Sequence, residues 1–163
     1  MPQVLILMGS DSDAPVMEAA GAVLTELGIT WEMTVASAHR SPARVTRLVD
    51  EAPSRGVKAF IVGAGAAAHL AGVVAAHTTM PVIGVPIDSS ALKGLDALLS
   101  TVQMPPGVPV ATVSIGKPGA TNAGVLAAQI LAVGDEAIAG RLVRYKQSLA
   151  EKVDKAAAKV GRP

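Results

Sequence analysis

His39 and Arg40 stand side by side in the segment SAHRSP, residues 37–42. An imidazole gives and takes protons near neutral pH. A guanidinium grips an anion through paired N–H donors. Together they suit proton transfer on an anionic ligand, although a solvated turn with an incidental histidine has the same composition. A second cluster, GSDSD at 9–13, offers the hydroxyls of Ser10 and Ser12 and the carboxyl of Asp13. Gly9 allows a sharp turn there, and a helix starting just beyond would present free N–H groups to an anion. Asp13 either caps that helix or accepts from sugar hydroxyls. A third segment, GAGAAAHLAG at 63–72, carries almost no side chains before His69. Its backbone amides can approach a small ligand, or another chain, closely. His69 reads either as a second polar group in an apolar pocket or as a satisfied core histidine, the commoner arrangement. His77 falls at a helix end and reads as structural.

Other chemistries find little support. There is no cysteine, hence no disulfide framework, thiolate metal site or cysteine nucleophile. The three histidines lack HxxxH spacing, so no metal site is expected. Neither GxSxG nor GxxxxGK[ST] occurs, and the glycines of GSDSD do not follow GxGxxG. Net charge is +1 and aromatics number three, Trp31, Phe60 and Tyr145. That balance argues against nucleic acid, which requires clustered cations or stacking platforms. The longest apolar stretch, 59–76, is interrupted by Gly63, Gly65, His69 and Gly72, so no membrane span is expected. The opening MPQVLIL has no basic region and is not read as a signal peptide. A cytoplasmic location is the expectation.

These loops need elements to position them. The 163 residues suffice for one domain with its own core. Strands are expected at 4–9, 30–36, 58–63, 81–86 and 109–113. Helices are expected at 14–27, 41–52, 69–77, 94–104, 119–133 and 135–158, with Ser41 as an N-cap and Pro42 in the first turn. Residues 156–163 should fray. Alternating strands and helices with short links imply a three-layer α/β/α domain. Its parallel sheet would be flavodoxin-like or Rossmann-like, with helices on both faces and one further C-terminal helix. In such sheets ligands bind beyond the carboxyl ends of the strands. The four loops GSDSD, SAHRSP, GAGAAAHLAG and DSSALKG (88–94) all follow strands.

Taken together, these segments resemble class I N5-carboxyaminoimidazole ribonucleotide mutases of purine biosynthesis. The matching pieces are MGSDSD (8–13), SAHRSP (37–42), GAAAHLAG (65–72), PVIGVP (81–86), GLDALLSTVQMPPGVPVATV (94–113) and IGKPGATNAGVLAAQIL (115–131). They run in order over nearly the whole chain. The resemblance implies an isomerase that moves a carboxylate from N5 to C4 of a ribonucleotide without metal or organic cofactor. It implies His39 as general acid and base. Ser10, Ser12 and Asp13 would hold the ribonucleotide, and Arg40 its 5′-phosphate. Ser37, Gly65 and His69 would complete the substrate site, with the loop before His69 against the migrating carbon dioxide. Asp11 departs from the family by adding a carboxylate beside the phosphate site, and its side chain should point away. The resemblance also implies a homo-octamer with sites shared between subunits. The related class II carboxylases, which take up free carbon dioxide, typically carry Lys where Arg40 stands. A non-catalytic nucleotide-binding module on the same fold is the remaining alternative.

Overall fold

Five parallel strands form one sheet in the order β2-β1-β3-β4-β5. The computed structural model of the chain describes residues 1–161. The strands are β1 (Val4–Met8), β2 (Trp31–Val35), β3 (Ala59–Gly65), β4 (Val82–Ile87) and β5 (Ala111–Thr112). Among the described residues six α-helices cover them: α1 (Ala14–Glu26), α2 (Pro42–Glu51), α3 (Leu70–Ala76), α4 (Leu95–Val102), α5 (Lys117–Ala132) and α6 (Glu136–Val160). This is the flavodoxin-like order, in which the chain reverses direction across the sheet between β1 and β3.

The composition of β1 explains its place. All five of its residues are buried, which suits a central strand with helices on both faces. Val4, Ile6 and Met8 face a core shared with α1, α5 and α6. Leu5 and Leu7 face the other core, with Phe60, α2 and α3. β1 pairs in register with both neighbours, Ile6 lying between Met33 and Ile61. β2 has only β1 beside it, and its residues are half-buried or exposed rather than alternating.

Small residues let the helices close on the sheet. α5 buries Gly119, Ala120, Ala123, Gly124, Ala127 and Ala128. A Cβ on Gly124 would stand 2.9 Å from the Ala20 carbonyl oxygen, so α5 and α1 touch backbone to backbone. Gly119 is tighter still, since a Cβ there would stand 1.6 Å from the Ser114 carbonyl oxygen. Gly119→Ala must therefore move backbone rather than a side chain. We expect a loss of about 1–3 kcal/mol in folding stability, read from the midpoint of urea denaturation.

Several boundaries differ from the sequence reading. α5 begins at Lys117, two residues early, because Pro118 is accommodated in its first turn. β5 keeps only two ladder residues. It is an edge strand, and Pro109 has no N–H to donate. Ser41 does precede α2, but its side chain does not cap it. Its hydroxyl turns back to the Ser37 carbonyl instead. The expected fraying from 156 onward does not begin there, as α6 stays helical through Val160. Residues 162 and 163 of that expectation lie outside the described residues.

Candidate active site

Four strand-ending loops converge on one cleft of about 390 Å³ at the carboxyl edge of the sheet. It lies at the point where strand order reverses, where open α/β sheets place ligands. All eight residues singled out from the sequence line it: Ser10, Ser12, Asp13, Ser37, His39, Arg40, Gly65 and His69.

The loop after β1 is a 3-10 turn, Asp11–Asp13, leading directly into α1. Ser10 caps this turn by accepting from the Ser12 N–H at 3.3 Å. Asp13 closes the motif in return, accepting the Ser10 N–H at 3.1 Å. Its carboxyl does not cap α1, so that sequence expectation is corrected. Asp13 itself has helical dihedrals, φ −82° and ψ −15°, rather than the extended ones of a capping residue. Asp13 is only 5% exposed. Burial pushes its carboxyl above the ordinary range, the Ser10 N–H pulls it down, and the nearby Asp11 charge pushes it up. Asp11 itself is exposed, accepts from the Ser10 hydroxyl, and does not line the cleft.

The loop after β2 is held by its own serines. Ser37 Oγ accepts from the Arg40 N–H at 3.2 Å. Ser41 Oγ accepts from the Ser37 N–H at 3.1 Å. This short network fixes the turn that carries His39 and Arg40. The Arg40 side chain makes no hydrogen bond or ion pair with any described residue. Arg44, in the first turn of α2, is already engaged by the Val35 carbonyl and the Thr34 hydroxyl. Arg40 is therefore the guanidinium in the cleft that is available to an anion.

His69 ends the loop after β3 and precedes α3. It is exposed, which overturns the core-histidine reading. Its Nδ1 lies 2.7 Å from Nε2 of His39, with the rings edge to face at 80°. One nitrogen must donate and the other accept, so the two tautomers are set together. His39 belongs to the loop after β2 and His69 to the loop after β3, so their contact reaches over the end of β1. Between His69 and the sheet the wall is Ala64, Gly65 and Ala67. Ala66, between Gly65 and Ala67 in the chain, adopts a φ of +50°, strained for a residue with a Cβ.

Sequence reasoning missed one polar side chain of the cleft, Ser89, from the loop after β4. The segment DSSALKG drew notice as a strand-ending loop, but nothing in it distinguished Ser89 from Ser90. Among the described residues no group of three or more potential metal ligands comes together.

This fold and cleft define a flavodoxin-like α/β protein with a paired histidine couple and an unengaged arginine at the switch point of its sheet. The family model for AIR carboxylase matches residues 3–152. A Bacillus subtilis protein named N5-carboxyaminoimidazole ribonucleotide mutase is 53% identical over 152 residues, covering 93% of this chain and 94% of its own. A Thermotoga maritima protein of the same name is 52% identical, covering 94% of this chain and 88% of its own. The crystal structure of Treponema denticola PurE superposes with a TM-score of 0.87 at 32% identity, over 99% of this chain and all of that one. The chain belongs to the AIR carboxylase family.

Proposed function

We propose that this chain is an N5-carboxyaminoimidazole ribonucleotide mutase of purine biosynthesis, acting as a single catalytic domain. The observation that carries the reading is the joining of His39 and His69 in the cleft that also holds the unengaged Arg40. Arg40 takes the 5′-phosphate, and the buried Asp13 with Ser10 and Ser12 takes the ribose. Ser37 lies beside Arg40 at the phosphate end, and Gly65 shapes the ring site beneath the histidines.

The chemistry follows from the ligand. A carbamate on nitrogen loses carbon dioxide once that nitrogen is protonated. His39 supplies the proton to N5 as the N–C bond breaks. The products of that step are aminoimidazole ribonucleotide and carbon dioxide. C4 of the ring is nucleophilic through its 5-amino group and attacks the retained carbon dioxide, forming the C–C bond. C4 then gives its proton to His39. One proton is given and one is taken, so the net reaction is an isomerisation. The Gly/Ala wall matters because the carbon dioxide must not escape or hydrate. Holding both fragments side by side supplies the proximity gain.

We further propose a homo-octamer in the cytoplasm. Two apolar stripes support assembly. Leu92, Leu95, Leu99 and Val102 stand exposed on and beside α4, and Leu149, Val153 and Val160 stand exposed on α6. No described helix is long and apolar enough to cross a membrane.

A paired ultraviolet assay tests the reaction. One sample holds freshly made N5-carboxyaminoimidazole ribonucleotide, the other aminoimidazole ribonucleotide with carbon dioxide and bicarbonate. The 4-carboxylated product should form preferentially from the first. Efficient formation from the second alone would make the protein a carboxylase. Silence in both, with folded protein, would leave only a binding module.

A further inference from the structure

Ser89 is the polar side chain that β4 contributes to the cleft. Its hydroxyl makes no hydrogen bond among the described residues, unlike that of its neighbour. Ser90 Oγ donates to Asp96 Oδ2 at 2.7 Å and accepts from the Leu92 N–H at 3.2 Å. The loop is thus tied down from behind by Ser90, while Ser89 faces the cleft unengaged.

Ser89 is also packed against the neighbouring strand, where Gly65 pairs with Ile87. A Cβ built on Gly65 would fall 1.7 Å from Ser89 Oγ and 2.7 Å from Ser89 Cβ. The hydroxyl occupies the space that a side chain at 65 would fill. Gly65 is therefore glycine for a stated reason: it lets a hydroxyl from β4 lie on the backbone of β3 within the cleft.

Strand order assigns an end of the ligand to this hydroxyl. Arg40 and Ser37 follow β2, and Ser10, Ser12 and Asp13 follow β1. Ser89 lies at the far side, after β4. Three inter-strand steps separate β2 from β4, roughly 14 Å at the usual spacing. A ribonucleotide with its phosphate at β2 and its ribose at β1 lays its ring towards β3 and β4. A hydroxyl donates and accepts at once, which suits a ring bearing both an amine and a carboxylate.

We propose that Ser89 is a further substrate-contacting residue, whose hydroxyl binds the carboxylated aminoimidazole end of the ligand. The inference rests on the functional reading above and extends it to a residue outside the eight. The test is calorimetric titration of wild type and Ser89→Ala with two ligands. One is the 4-carboxylated aminoimidazole ribonucleotide, the other ribose 5-phosphate, which lacks the ring. Ser89→Ala should bind the first about 3- to 10-fold more weakly and ribose 5-phosphate as wild type does. The retained sugar phosphate binding also proves that the variant is folded. Equal affinity of both proteins for the ring-bearing ligand overturns the assignment. So does an equal loss for the two ligands, which would place Ser89 at the phosphate end or give it a purely structural part. A wild type that binds neither ligand overturns the functional reading, and this inference with it.

Discussion

His39→Asn should lower turnover by about 10²- to 10⁴-fold and leave ligand affinity within a few-fold of wild type. Both proton transfers of the proposed reaction pass through this imidazole. Asparagine matches the Nδ1 edge of the imidazole and stops short of Nε2, so the 2.7 Å contact to His69 Nδ1 is lost together with the proton carrier. What it lacks is a site that takes up and releases a proton at working pH. The anion and ribose contacts come from other residues, Arg40 and the loop after β1, so binding should survive. Steady-state rates with N5-carboxyaminoimidazole ribonucleotide, paired with calorimetric titration of product, separate the two effects. Turnover within about threefold of wild type would remove His39 from the chemistry. An equal loss in binding and turnover would make it a substrate anchor. A non-catalytic module would show no turnover in either form.

The sequence carried the fold because the fold depends on local signals. Val4 to Met8 is an uninterrupted apolar run, and such a run with helices before and after its neighbours has few homes besides a central parallel strand. The site loops were legible for the same reason, since the rule for open sheets places ligands after strands. Contacts between distant residues were not legible. His69 had two readings because nothing in residues 63–72 reveals His39, thirty residues earlier. The sheet order makes that contact, and it turns a possible core histidine into half of an exposed pair. Ser89 was hidden likewise, because its significance lies in the empty side-chain space of Gly65. Ser41 was misread as a cap because a serine before a proline fits that pattern. Its hydroxyl was captured instead by the turn that holds His39 and Arg40.

Asp13→Asn should raise the stability of the ligand-free protein at neutral pH and lower ligand affinity by about 10²-fold. The carboxyl is 5% exposed, and its burial raises it above the ordinary value of 3.8. The folded protein therefore holds this proton more tightly than the unfolded chain does. Well below 3.8 both forms are protonated and the group costs the fold nothing through its charge. As pH rises through the window from 3.8 to the raised folded value, the unfolded chain ionises first and the fold is weakened. Above that window the penalty is constant. Asparagine has no such charge and can still accept the Ser10 N–H that Asp13 accepts now. The stability advantage of the variant should thus open with rising pH across that window and stay level beyond it, as read by thermal midpoints at a series of pH values. Binding should move the other way. Hydrogen bonds from ribose hydroxyls to an ionised carboxylate are worth about 1.5–3 kcal/mol each, and to a neutral amide about 1. Two such bonds account for the expected loss. A variant less stable than wild type at neutral pH would mean that the carboxylate is there to build the turn between β1 and α1. Greater stability with weaker binding would mean that a buried charge is retained against the interest of the fold, and the ligand's hydroxyls are the groups that give it a use.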